Sequence, residues 1–159
     1  MQSSSIAAQP ALARQAADPS PSEGDLRPGN LTREQLIEAY RHMLSSRLID
    51  DREILMKRQH RIYFQVSAAG HEAAPAAAGM ALEAGHDWFY PYYRDRTLCL
   101  ALGVTAEEMF LQGVGAARDT ASGGRQMPSH WSDPAKHIVT GSSPTGTQFL
   151  QAIGCAHAS

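Results

Sequence analysis

Few cysteines, few aromatics, little net charge and no long apolar run characterise this sequence. Cys99 and Cys155 are the two cysteines in 159 residues, and they form no CxxC pair. That excludes a disulfide framework or a thiolate zinc centre, and suits buried thiols in a reducing compartment. Lysine and arginine number 14 against 16 acidic residues, a formal charge of −2. Such a balance gives no electrostatic case for a nucleic-acid partner. No stretch reaches the roughly 18 apolar residues of a membrane-spanning helix, and no hydrophobic signal-peptide core opens the chain. Aromatics are 7% of the residues, so any cluster of them is conspicuous. The length is that of one domain, enough to bury about two thirds of its unfolded surface.

Residues 1–30 are rich in Ser, Ala, Pro and Gln and poor in large apolar side chains. Burial there cannot offset ordering entropy, so a disordered tail is expected. Arg14 and the serines fit a transit peptide, whereas Asp18, Glu23 and Asp25 argue against one.

Order is expected from Leu31. Thr32 and Gln35 have capping-box spacing, with Leu31 and Leu36 as a hydrophobic staple. Leu36, Tyr40, Met43, Leu44 and Leu48 recur at helical intervals, and the helix is expected to continue through Leu55 and Lys57. Its charged stretch, Arg47 with Asp50-Asp51-Arg52, reads as a solvated face. Ile62, Phe64 and Val66 alternate with Tyr63, Gln65 and Ser67, the pattern of a short extended segment that Gly70 ends. Residues 72–82 are nearly all small, which predicts a closely packed helix with Pro75 in its first turn. His71-Glu72 is not a zinc-protease motif, because Pro75 stands where the second histidine is needed. Glu72 is expected to cap that helix instead.

The aromatic cluster Trp88-Phe89-Tyr90-Pro91-Tyr92-Tyr93 precedes Arg94-Asp95. It reads either as core or as an anion site, since a guanidinium fork matches phosphate oxygens. Thr105 and Glu108 make a second capping box. Residues 113–127 hold four glycines without a Walker pattern and read as a long functional or mobile loop. His130 closes it and is open to three readings: surface residue, metal ligand or acid/base.

Gly141-Ser142-Ser143-Pro144-Thr145-Gly146-Thr147-Gln148 follows the apolar run His137-Ile138-Val139 and precedes a small-residue segment. Strand, turn and helix are expected in that order. The turn could hold an anion on free helix-start N–H groups, a hard cation on its oxygens, or be an ordinary capped loop. The final helix has no C-cap glycine, so the chain is expected to be the N-terminal piece of something longer.

Together these stretches resemble the α subunit of the thiamine-diphosphate-dependent 2-oxoacid dehydrogenases, the E1 components. The matching segments are Arg47-Leu48-Ile49-Asp50, Lys57-Arg58-Gln59, Ser67-Ala68-Ala69-Gly70-His71-Glu72-Ala73 and Tyr93-Arg94-Asp95. Then come Gly124-Arg125-Gln126-Met127-Pro128-Ser129-His130, Ser142-Ser143-Pro144, Thr147-Gln148 and Ala152-Ile153-Gly154. They run in the family's order over residues 31–159, and the Arg-Gln-Met-Pro-x-His form is closer to the branched-chain branch than to the pyruvate branch. The resemblance implies an α/β thiamine-diphosphate-binding fold with a parallel sheet, helix-rich over residues 31–159. It implies oxidative decarboxylation of a 2-oxoacid, with acyl transfer to the lipoyl domain of E2, by an α2β2 assembly with an E1 β subunit. Alternatives are an acetoin dehydrogenase-type α subunit, or a non-catalytic fragment that serves only subunit association.

By position, Tyr93 and Arg94 resemble the diphosphate pair, with Ser143 and the backbone of Thr145 as neighbouring cofactor contacts. Ser142, Pro144, Thr147 and Gln148 resemble the loop that holds K⁺, and His130 resembles an active-site histidine. Mg²⁺ ligands of the family's GDG…N motif are expected beyond residue 159. Thr145 departs from the family's aliphatic residue, and Phe149-Leu150 from its Leu-Pro. The implied location is cytoplasmic for a bacterial source and the mitochondrial matrix for a eukaryotic one.

Overall fold

A computed structural model describes residues 31–159; the expected disordered tail at 1–30 lies outside the described residues. Helix α1 spans Arg33–Arg58 without a break. It opens on the capping box: Gln35 N donates to Thr32 Oγ1 at 3.2 Å, and Thr32 N donates to Gln35 Oε1 at 2.8 Å. Two donors that the first turn leaves unpaired are thereby satisfied. Lys57 and Arg58 end the helix at its negative pole. Helix α2 spans Ala73–Ala81, with Pro75 in the first turn, where its missing N–H costs nothing. Helix α3 spans Arg96–Ala101 and lies so close to α2 that a Cβ on Gly79 would come within 2.3 Å of the Ala101 Cβ. Helix α4 spans Ala106–Gly113 behind the Thr105–Glu108 capping box, and α5 spans Thr147–Ala158. The first three helices pack on one another, and α4 packs on α1. Ile49, Phe89, Leu98, Cys99, Leu102, Met109, Trp131 and Ile138 form the core.

The described residues are helix-rich, and the expected parallel sheet is not seen among them. Around Ile138 there are two isolated bridges, parallel to Phe89 and antiparallel to Asp133. Neither extends into a ladder. Pro91 lacks the N–H that the next parallel rung needs, and the antiparallel pair closes directly into the one-turn 3-10 helix Pro134–Lys136, after which His137 has φ 55°. The expected strand at His137-Ile138-Val139 is therefore a short pairing only.

Residues 64–68 also pair with no strand. Their partner is a side chain: Gln65 Nε2 (2.6 Å), Ser67 Oγ and Ala68 N (3.2 Å) all donate to Asp50. This overturns the solvated reading for Asp50, while Asp51 and Arg52 of the same charged stretch are exposed as expected. Asp50 and Glu53 are buried, and both face the fully buried Arg96, whose Nη1 lies 3.3 Å from Asp50 and Nη2 2.5 Å from Glu53. Arg47 is likewise engaged, donating from Nε (2.9 Å) and Nη2 (2.5 Å) to Glu72 Oε1. Glu72 does not cap α2 with its side chain. Its two oxygens go to Arg47 and to Gly70 N, fixing the turn before the helix.

Candidate active site

A cleft of about 490 Å³ opens where three segments meet. Phe64, Gln65, Val66 and Ser67 form one wall, Tyr93 and Arg94 the second, and Met127, His130 and Ser143 the third. The first wall stands where it does because Asp50 gathers its polar groups from below. The second wall is tied to the first, since Arg94 Nη1 donates to the Ser67 carbonyl. The Arg94 guanidinium carbon also lies 5.6 Å from the centre of the Tyr93 ring, within cation–π range. One of its five N–H donors is spent on Ser67, and the group keeps its charge at the cleft.

Tyr92, the neighbour of Tyr93 in the aromatic cluster, packs against this wall. Its ring centre lies 3.9 Å from that of Tyr93. A hydrogen bond with Tyr93 does most to lower the Tyr92 hydroxyl from the ordinary phenol value; burial opposes this, and Arg94 and Thr145 add to the lowering.

On the third wall, His130 is buried and doubly bonded. Its Nδ1 lies 3.1 Å from the Pro128 carbonyl, and its Nε2 lies 2.7 Å from Ser143 Oγ. A carbonyl only accepts, so Nδ1 carries the proton. In the neutral ring, Nε2 is then the bare nitrogen and accepts from the Ser143 hydroxyl. The backbone behind it is gripped by Gln112 of α4, which donates from Nε2 to the His130 carbonyl (2.9 Å) and accepts from Ser129 N (2.8 Å).

The turn before α5 brings its oxygens together. Ser142 Oγ lies 2.5 Å from Thr147 Oγ1, which donates to the Pro144 carbonyl at 3.0 Å. Gln148 is half-buried at the second position of α5, and Thr145 is exposed beside them. The glycine-rich loop at 113–127 is organised by Asp119, which accepts from the backbone of Ala121, Ser122 and Gly124. Among the described residues no cluster of three or more His, Cys, Asp or Glu side chains could hold a metal. Any cation here would rest on neutral oxygens. No described helix is long and apolar enough to cross a membrane.

Residues 40–159 match the family model of the dehydrogenase E1 component. This chain belongs to that family. The E1 chain is 44% identical over 126 residues to the 2-oxoisovalerate dehydrogenase subunit alpha of Bacillus subtilis, covering 79% of this chain and 38% of that one. It is 34% identical over 129 residues to the mitochondrial 2-oxoisovalerate dehydrogenase subunit alpha of Caenorhabditis elegans, covering 81% and 30%. Identity to the pyruvate dehydrogenase E1 component subunit alpha of Staphylococcus aureus is 35% over 129 residues, covering 81% and 32%. The E1 chain thus spans 38% or less of the length of these relatives.

Tyr93, Arg94, His130 and Ser143, singled out from the sequence, face one cleft in this E1 chain. Ser142, Pro144 and Thr147 converge in the turn next to it. Gln65, Tyr92 and Gln112 were not singled out. Polar side chains of this kind carry no spacing signal until the fold sets them against their partners.

Proposed function

We propose that this chain supplies the cofactor-holding part of an E1 α subunit. The whole enzyme would decarboxylate a 2-oxoacid oxidatively and pass the acyl group to a lipoyl group of E2, with a branched-chain substrate preferred to pyruvate. The observation that carries the reading is that Arg94 and the His130–Ser143 pair face the same cleft.

The residues fit thiamine diphosphate. The cleft volume is that of a small-molecule site. Arg94 offers charge-assisted donors to a diphosphate with Tyr93 beside it, and the Ser143 hydroxyl, donated to His130 Nε2 here, would turn to the diphosphate when it binds. The N-terminal end of α5, capped by Gly146 with φ 89°, adds a positive dipole end next to Ser143. When bound, the cofactor supplies the nucleophilic carbon and the electron sink for loss of CO₂. The chain's own residues do the rest. Arg94 neutralises the anion and orients it against the Ser67 wall. His130 keeps Nε2 unprotonated at the cleft, engaged by the Ser143 hydroxyl until that hydroxyl turns to the anion and then free to accept a proton. Ser142, Pro144, Thr147 and Gln148 supply neutral oxygens for a monovalent cation such as K⁺, which would stiffen the turn. Mg²⁺ ligands are expected from outside residues 1–159, and an E1 β subunit is the expected neighbour across the cofactor.

The test is thiamine diphosphate binding, followed by calorimetry with Mg²⁺ and the E1 β partner present. Losing the charge-assisted bonds of Arg94 at about 1.5–3 kcal/mol predicts roughly 10- to 150-fold weaker binding for Arg94→Ala. An unchanged affinity removes the cleft as the cofactor site. Turnover with 2-oxoisovalerate, pyruvate and acetoin separates the substrate readings, with 2-oxoisovalerate expected to lead.

A further inference from the structure

We infer that Gln112 is a positioning residue for His130: its carboxamide clamps the Ser129–His130 peptide and thereby fixes the imidazole as the Nδ1–H tautomer, with Nε2 unprotonated at the cleft as the acceptor for Ser143. The inference rests on the reading of His130 as an active-site proton acceptor, and it adds the group that gives it that form.

Ser129 has φ 64°, in the left-handed region that a residue with a Cβ rarely adopts. It relaxes from there unless its surroundings hold it. Gln112 is what holds it. Its side chain is buried on α4, and its Oε1 accepts from Ser129 N at 2.8 Å while its Nε2 donates to the His130 carbonyl at 2.9 Å. The amide orientation is unambiguous, because a backbone N–H only donates and a carbonyl only accepts. Both polar ends of one buried side chain are thus used on two adjacent residues.

The consequence reaches the ring. With Ser129 in this conformation the chain doubles back, so that Pro128 O meets His130 Nδ1 at 3.1 Å. That contact places the proton on Nδ1. Histidine in water favours no such arrangement, and the tautomer follows from the partner that the fold supplies. If Ser129 relaxes, the Pro128 carbonyl swings away and the preference is lost. Ser143 then faces whichever nitrogen the ring presents.

The experiment uses the whole chain with ¹⁵N-labelled histidine, at a pH about two units above the ordinary histidine value. Long-range ¹H–¹⁵N spectra distinguish a protonated from a bare ring nitrogen at each position. Of the seven histidines, the His130 signals are those lost in His130→Asn. The native chain should show His130 as Nδ1–H. Gln112→Leu should lower the ratio of Nδ1–H to Nε2–H at least tenfold. Gln112→Glu keeps an acceptor for Ser129 N but opposes a carboxylate oxygen to the His130 carbonyl, so it should shift the ratio in the same direction. It also serves if the leucine variant does not fold. An Nε2–H tautomer in the native chain, or an unchanged ratio in the folded variants, overturns the inference. The readout needs no cofactor. A failed Arg94→Ala binding test with an intact tautomer result would therefore remove the cofactor site and leave the clamp standing.

Discussion

Replacing Asp50 by alanine tests the claim that a buried carboxylate builds the first wall of the cleft. Asp50 receives four hydrogen bonds, from Gln65, Ser67, Ala68 and Arg96. Its removal leaves the Ala68 N–H and two side-chain donors without an acceptor, at about 1–3 kcal/mol for each that water does not reach. It also takes from Arg96 the Nη1 hydrogen bond to a carboxylate, at about 1.5–3 kcal/mol, while the pair with Glu53 remains. These costs overlap, because the space vacated admits water, so the expected net loss is about 3–5 kcal/mol. Against a typical stability of about 5–15 kcal/mol that is a large share. In urea, with a slope of about 1–3 kcal/mol per molar, the midpoint should fall by roughly 2 M. Circular dichroism across a urea series measures it. A loss under about 1 kcal/mol would show that segment 64–68 holds itself, and the reasoning would fail. A second arm replaces the cluster together: Asp50→Leu, Glu53→Leu and Arg96→Met. Buried ion pairs offset their own desolvation poorly, so this triple variant should recover the share lost around Arg96 but not the share lost at the Gln65, Ser67 and Ala68 donors, which still lack an acceptor. Its cleft should still bind thiamine diphosphate poorly, because the polar groups of Gln65 and Ser67 have lost their anchor.

Burial raises the Glu53 carboxyl above its ordinary 4.5, Arg96 opposes the rise, and Asp50 adds to it. The folded chain therefore holds that proton more tightly than the unfolded one. Its contribution to stability is complete below about pH 4.5 and is lost as pH rises through the raised value. The urea midpoint of the native chain, relative to Glu53→Gln, should decline across that interval; a flat or rising difference would contradict the sign. Gly79→Ala should destabilise by about 1–3 kcal/mol in thermal melts despite alanine's better helix propensity, and Ala101→Gly should restore part of it. Burial pushes the Cys99 thiol well above its ordinary range. Iodoacetamide should therefore modify half-buried Cys155 first and reach Cys99 only on unfolding, as peptide mass mapping would report.

Local grammar made much of the fold legible. Both capping boxes stand where their spacing puts them, because each is complete within four residues. Pro75 and the small residues of α2 are legible for the same reason. The burial of Asp50 was not. A carboxylate at Asp50 looks the same from its neighbours whether it meets water or Arg96, which lies 46 positions further along. The segment at 62–66 alternates as a strand does, yet the fold satisfies it with an aspartate instead of a neighbouring chain. In the candidate site, residues with distinctive chemistry could be read early: an arginine, a histidine and a run of hydroxyls. Gln112 could not, since its role exists only once α4 lies beside Ser129.

Helix α5 buries none of its residues and turns Phe149, Leu150 and Ile153 outward. A helix of 12 residues is marginal when little packs against it. Its amides should exchange with deuterium through opening of that one helix, long before the molecule as a whole unfolds. Because Thr147 is both a member of the oxygen-lined turn and the first residue of α5, anything that rigidifies the turn also seeds the helix. Occupancy of the turn by a cation would then be recorded at a distance, as slower isotope uptake from Phe149 onward with α1 unaffected.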